Sequence, residues 1–265
     1  MRFRSETAFA SMFMGWRKNG TRVGASVLSL LLTCVGVFSA VDADAASGLN
    51  RKPGWPGNTL GGLPCYGVAD NTRFDYITER DRLAIVENYH FYREVQELKQ
   101  TDKQLASNLD YTLRSIPNHH RALWLKVRHY LRVIKNEQAR KDLAAQELIK
   151  EGLPPPECYF QRGKAFNPGD GMVPAIFAIY LHKRKQYDAA LAEYELAEQL
   201  LPNYAEVVYN KGLLYFDMGE LDKAREYAER ARALGYPLTG LQRKLDDSAS
   251  ADTKSRRGAA APDAN

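Results

Sequence analysis

The chain has 265 residues, with 37 Lys and Arg against 32 Asp and Glu, a net charge of +5. Hydrophobic residues make up 45% and charged residues 26%, the balance of a chain that packs a core and not of a polyelectrolyte. Five of the basic and three of the acidic residues fall in 1–45, so the remainder holds 37 − 5 = 32 against 32 − 3 = 29, a net of +3, and that small excess argues for no nucleic-acid partner.

The first element in chain order reads as a targeting segment. Arg2, Arg4, Arg17, Lys18 and Arg22 make a basic start, and Val23 to Val41 then runs apolar. Ala43-Asp44-Ala45 follows with the small–x–small pattern of a signal-peptidase site. Residues 1–45 are expected to be a signal peptide cleaved after Ala45. The run 23–41 is also long enough to cross a bilayer, so an uncleaved anchor is the alternative, with membrane association through that run. Residues 46–80 hold Gly48, Pro53, Gly54, Pro56, Gly57, Gly61, Gly62 and Pro64, and read as an irregular Gly/Pro-rich segment.

Residues 81–170 carry a decayed helical pattern. The spacing of Leu83, Val86, Tyr89 or His90 and Val95 predicts a helix over 81–99. Leu109, Leu113 and Ile116, closed by Pro117-Asn118, predict another. Leu123, Val127 and Tyr130 share a face over 121–133. An insertion over 134–156 is helix-like at 139–150 and is broken by Pro154-Pro155-Pro156. Cys158, Phe160, Gly163 and Phe166, closed by Pro168-Gly169-Asp170, end this stretch.

Residues 171–245 repeat. Tyr187, Ala190, Tyr194 and Ala197 recur 34 positions on as Leu221, Ala224, Ala228 and Ala231, and Pro202 is matched one place late by Pro237. A fixed period of this size marks stacked units, none of which buries its apolar face alone. Val208, Gly212 and Tyr215 fall on one face of a first helix, with Gly212 allowing close approach of its partner. Met218-Gly219-Glu220 makes the turn, and Lys185-Gln186 makes the corresponding turn without glycine. Leu241 to Leu245 reads as a short polar capping helix. Residues 246–265 lack an apolar period and are expected to be disordered.

The period and the small-residue pattern resemble the tetratricopeptide repeat (TPR), strongly over 172–237 and weakly over 81–170. The resemblance implies an all-α fold: a right-handed superhelical stack of helix–turn–helix repeats, with two clear units, degenerate units before them and a C-terminal capping helix. Cys65-Tyr66-Gly67-Val68-Ala69-Asp70, Pro117-Asn118-His119-His120-Arg121 and Leu234-Gly235-Tyr236-Pro237-Leu238 also resemble an uncharacterised group of exported bacterial TPR proteins. That likeness implies a periplasmic location and supplies no activity.

In TPR proteins the first helices of successive units line a concave groove. Carried onto this chain, the groove positions are Arg121, Trp124, Arg128, Leu131 and Arg132, then Met172, Ala175, Ile179, His182 and Lys183, then Glu206, Tyr209, Leu213, Phe216 and Asp217. Arg121, Trp124, Arg128, Arg132, His182, Lys183, Tyr209, Phe216 and Asp217 are the expected partner-binding set. Aromatic and guanidinium groups together suit a protein or peptide partner. Packing of Trp124, Tyr209 and Phe216 on neighbouring helices is the competing reading. The Lys and Asn set that clamps a C-terminal carboxylate is not present. The resemblance implies a scaffold or adaptor, or alternatively a membrane-anchored subunit of an envelope complex. Glu193 is expected on an open outer face.

Cys65 and Cys158 remain after the first 45 residues. Export would place them in an oxidising compartment, where a Cys65–Cys158 disulfide is expected; free buried thiols and a metal pair are the alternatives. His119 and His120, near His90 and His129, do not suit one metal ion, because adjacent helical residues point about 100° apart. Capping or solvent-facing roles are expected for the pair. No nucleophile–base motif, Cys-x-x-Cys or phosphate-binding loop is present. No enzyme, cofactor or metal is therefore expected, with a hydrolase or metal protein as the remote alternative.

Overall fold

The computed structural model describes residues 52–67, 73–135 and 153–259. The expected signal peptide, the helix-like insertion at 139–150 and residues 260–265 lie outside the described residues.

Residues 46–80 are not wholly irregular. Strand β1 (Lys52–Asn58) pairs antiparallel with β2 (Pro64–Gly67), with Lys52 opposite Gly67 and an irregular register before Asn58. The Gly and Pro content hid this hairpin. Pro53 and Pro56 give up ladder hydrogen bonds, which a two-stranded ribbon tolerates because every strand is an edge. A hairpin this small is marginal alone, and it is fastened from below by helix α5 (Pro156–Phe166). The Cys65–Cys158 disulfide is formed. The Asn58 N–H donates to Gln161 Oε1 at 3.1 Å, Gln161 Nε2 donates to the Asn58 carbonyl at 2.6 Å, and the Leu60 N–H donates to Glu157 Oε1 at 2.9 Å. Trp55 is buried edge-on against Tyr159, with ring centres 5.1 Å apart.

The single helix expected over 81–99 is broken. A 3-10 turn (Arg80–Arg82) precedes α1 (Ala84–His90) and the short α2 (Arg93–Gln96). The break falls at Phe91 (φ −133°), whose ring is buried against His119 with centres 4.4 Å apart. Helix α3 (Asp102–Ser115) is capped by Thr101, whose Oγ1 accepts from the Gln104 N–H. It is followed by α4 (His120–Lys135).

His119 and His120 are buried, not solvent-facing. His119 does cap α4: its Nδ1 accepts from the Ala122 N–H at 3.3 Å, and its Nε2 lies 2.9 Å from Glu87 Oε1. These contacts fix a neutral ring with the proton on Nε2, and burial pushes its pKa down. His120 Nε2 lies 2.7 Å from Asp170 Oδ2, which also accepts from Asn118 at 2.9 Å. Sequence alone could place these residues at a helix start but could not supply the distant carboxylates that allow their burial.

The C-terminal pairs follow the repeat. Helix α6 (Met172–Lys183) packs antiparallel on α7 (Tyr187–Leu200), and α8 (Ala205–Asp217) on α9 (Leu221–Ala233). Ala190, Ala197, Ala224 and Ala231 are all buried at the matched positions. A Cβ on Gly212 would stand 2.6 Å from Leu241 Cδ2 and 3.0 Å from the Tyr227 Cβ, so the close approach needs glycine. The last helix, α10, runs Gly240–Ala259. Residues 246–259 are thus helical where disorder was expected. Leu241 and Leu245 dock the first turns of α10 against Val208 and Tyr209. A docked nucleus lets a good helix former such as Ala251 extend the helix beyond it.

Candidate partner-binding wall

The first helices of successive pairs, α4, α6, α8 and α10, lie side by side. Extending the 34-residue step once more takes Glu206 to Gly240, so α10 stands where the first helix of a further unit would stand. Its face toward a missing second helix is polar: Gln242 and Asp246 are exposed and bonded to each other at 2.9 Å. This is how a solenoid seals its end.

Across the wall, charged side chains join neighbouring helices. His182 Nε2 on α6 lies 2.9 Å from Asp217 Oδ2 on α8, and Lys244 Nζ on α10 lies 3.2 Å from Asp217 Oδ1. The His182 hydrogen bond is the largest influence holding the Asp217 carboxyl below its usual value, and Lys244 adds to it. Lys244 also lies 4.9 Å from the centre of the half-buried Phe216 ring. Lys183, the residue after His182, is exposed. The expected residues His182, Phe216 and Asp217 therefore meet in one place, and Lys244 joins them. Its part was missed because the capping helix was read as a separate element and not as the next step of the period.

On α4, Trp124 and Arg128 are half-buried. Arg121 and Arg132 are exposed but engaged. Arg121 donates to Gln96 Oε1 and sits over the Phe91 ring. Arg132 Nη2 donates to Asp102 Oδ1 at 2.5 Å, and its Nη1 donates to the Leu98 carbonyl at 3.3 Å. These two arginines brace α4 against the preceding elements. Asp102 is shared with the buried His129, whose Nε2 is 3.1 Å away; burial drives the His129 pKa down to about 4, with Lys126 adding to the effect.

Tyr209 departs from expectation. It is 6% exposed, its hydroxyl accepts from the Leu241 N–H at 3.1 Å, and its ring lies 4.4 Å from that of Tyr236. It supports α10 and does not present its ring to an incoming chain. Glu193 also differs: its side chain is 14% exposed and is paired with Lys164. Behind the wall, Lys126 is buried with its ammonium 4.8 Å from the Tyr159 ring centre. Burial lowers its pKa to about 8, although Asp110 and Glu157 pull the other way.

Among the described residues no helix is long and apolar enough to cross a membrane; the apolar run 23–41 lies outside them. Compared with known families, residues 181–219 match the model described as TPR repeat. One solved structure to which the chain is similar is that of a mutant of MamA, at 12% identity and a TM-score of 0.40, over 68% of this chain and 93% of that one. Residues 181–219 thus carry a TPR repeat, within a mostly helical chain whose paired helices stack one on the next. TPR repeats are in general protein-interaction scaffolds and are typically non-catalytic.

Proposed function

We propose that this protein is an exported, periplasmic scaffold that holds a protein or peptide segment along the wall formed by α4, α6, α8 and α10. The observation that carries this reading is the meeting of His182, Asp217, Phe216 and Lys244 from three adjacent wall helices, with Trp124 and Arg128 half-buried on α4 and Lys183 exposed on α6. This set combines half-buried aromatic rings with cations, the chemistry that anchors a segment by burial and directs it by charge. Export is supported by the basic start, the apolar run and Ala43-Asp44-Ala45.

A photo-activated cross-linker placed at Arg128 or at Lys183 is expected to trap one common protein in the native envelope. The same group at Glu226, exposed on α9, is expected to trap none of it. Trp124→Ala combined with Lys183→Glu should remove the product while helix content stays unchanged. Trapping from Glu226 alone would move the binding face to the second helices. The N-terminal residue of the purified protein decides between a cleaved and an anchored form.

A further inference from the structure

Two consecutive repeats end their first helices in opposite ways. Helix α6 closes on Lys183, followed by Arg184 and Lys185 in the turn. One period of 34 residues later, α8 closes on Asp217, followed by Met218 and Gly219. The repeat therefore folds without cations at this place. The helix dipole favours a cation in the last turn, which covers Lys183. It does not cover Lys185, which lies past the helix in a left-handed backbone, φ 59°. Helix α4 brings a further cation to the same edge, since it ends on the exposed Lys135. The ends of α4 and α6 lie side by side. The ring centres of Tyr130 and Tyr180 are 6.1 Å apart, and the Arg184 guanidinium lies 5.8 Å from the first and 5.9 Å from the second. Arg184 Nη1 donates to Tyr180 Oη at 3.1 Å, a phenol and not a carboxylate. Among the described residues, Lys135, Lys183, Arg184 and Lys185 form no ion pair. Farther along the wall, the Asp217 carboxylate is already matched by His182 and Lys244.

We propose that the joined ends of α4 and α6 are a docking surface for an acidic segment of the partner, whose carboxylates meet Lys135, Lys183 and Lys185. The inference rests on the wall reading, since α4 and α6 are two of the wall helices, and it adds the charge of the segment held there. The unmatched charge on this edge is all of one sign, so an anionic occupant completes it and a basic one is repelled. Lysine ammoniums are point charges on flexible stems, with three donors each. They suit carboxylates spread along a segment and need no fixed fork geometry. Leu131 and Ile179 are half-buried on the same two helices and offer apolar contact to the residues between the carboxylates.

Lys185 separates binding from folding at this edge. The equivalent Gly219 adopts the left-handed turn without strain. Lys185 is exposed, so its side chain returns little packing for the strain. What it does supply is an ammonium two residues beyond the end of α6, which lengthens the cationic edge. All three lysines are exposed, so their pull on a segment is screened by salt, over about 8 Å at physiological ionic strength.

The test titrates the full chain with a short peptide of glutamate and leucine carrying a neutral dye, read by fluorescence anisotropy. A glutamine-and-leucine peptide and phosphatidylglycerol vesicles are run beside it. Saturable binding of the glutamate peptide is expected, weakening as salt is raised, with the glutamine peptide at least about tenfold weaker. Lys135→Glu combined with Lys183→Glu should weaken the glutamate peptide about tenfold or more, with circular dichroism unchanged. Arg225→Glu combined with Arg232→Glu makes the same change of net charge at exposed positions of α9 and should leave binding within about twofold. Equal binding of the two peptides, or equal loss in the two double variants, would overturn the surface. So would binding of the vesicles alone, lost in the α4–α6 variant, which would assign the edge to a membrane. The titration contains no native partner. If it fails while Arg128 still traps a common protein, the acidic segment falls and the wall reading stands. If it succeeds while no protein is trapped, the wall reading falls and the anionic surface stands.

Discussion

The two ends of the described chain are held by different forces. From Met172 to Leu245 the helices are fastened by repetition: buried alanines at matched positions and one glycine at a close crossing. From Lys52 to Phe166 the repeat is degenerate. That end depends on a disulfide, a hairpin bonded to Gln161 and Glu157, and buried histidines each matched to one carboxylate. Repetition is robust because each interface is a small variation on the last. Single polar matches are specific, and each is lost entirely when one partner goes.

The largest test of this contrast removes the disulfide. The bridge closes a loop of sequence separation 93, worth about 4–5 kcal/mol as an upper limit on the chain-entropy model. With Cys65→Ala and Cys158→Ala, amides of 52–67 should exchange rapidly while α6 to α9 stay protected. Loss of protection throughout would show one cooperative unit and erase the contrast. Thiol titration of the denatured, unreduced parent protein should find no free Cys65 or Cys158.

Acid and alkali should act on opposite ends. The folded pKa values of His119 and His129 lie below the usual 6.5 because burial disfavours the imidazolium. Their stabilising contribution is complete above pH 6.5 and is lost as pH falls toward about 4, the folded value of His129. Glu206 has the opposite sign. Its folded pKa, about 8, exceeds the usual 4.5, so its contribution is complete below pH 4.5 and is lost as pH rises through 8. Hydrogen exchange at pH 5 should show the 73–135 region loosened first, and at pH 8 the α8–α10 end. Glu206→Gln should flatten the alkaline loss, on the order of 3 kcal/mol between pH 5 and 8. The same end loosening first at both pH values would contradict these assignments.

A volume test is smaller. Ala231 is 1% exposed between helices, and Ala231→Trp should overpack the α8–α9 interface by about 1–3 kcal/mol or more. Unchanged thermal stability would show that the small residues there are not required. Ala233→Trp, at an exposed position of the same helix, is the control.

These forces also explain what could be read from sequence. The helices over 172–233 stand close to where the period placed them, because matched alanines and turns are visible one residue at a time. The helix through Phe91 and the hairpin at Trp55 were not legible. Each is set by a residue far along the chain, His119 in one case and Tyr159 in the other. On the wall, His182, Phe216 and Asp217 were found from the repeat positions and Lys244 was not. Tyr209 was assigned an open face because its partner, the N–H of Leu241, belongs to a helix read as too short to cover it.

The smallest effect is the most direct measure of how far repetition governs the C-terminal end. Lys185 and Gly219 are 34 apart and end the first helices of consecutive units. Both have positive φ, 59° at Lys185 and 83° at Gly219. A left-handed backbone costs an L residue roughly 1–2 kcal/mol, whereas glycine adopts it freely. Glycine gives back part of that gain through the greater freedom of its unfolded chain, roughly 0.5–1 kcal/mol. Lys185 is exposed, so its side chain contributes little packing to offset the strain. Lys185→Gly should therefore stabilise the protein by about 0.5 kcal/mol, read as a small rise in the chemical-denaturation midpoint at unchanged slope. Gly219→Lys, the mirror substitution, should destabilise by a similar or larger amount. If Lys185→Gly lowers the midpoint, the two turns are not equivalent, and the second repeat copies the first in its helices but not in the chain reversal that joins them.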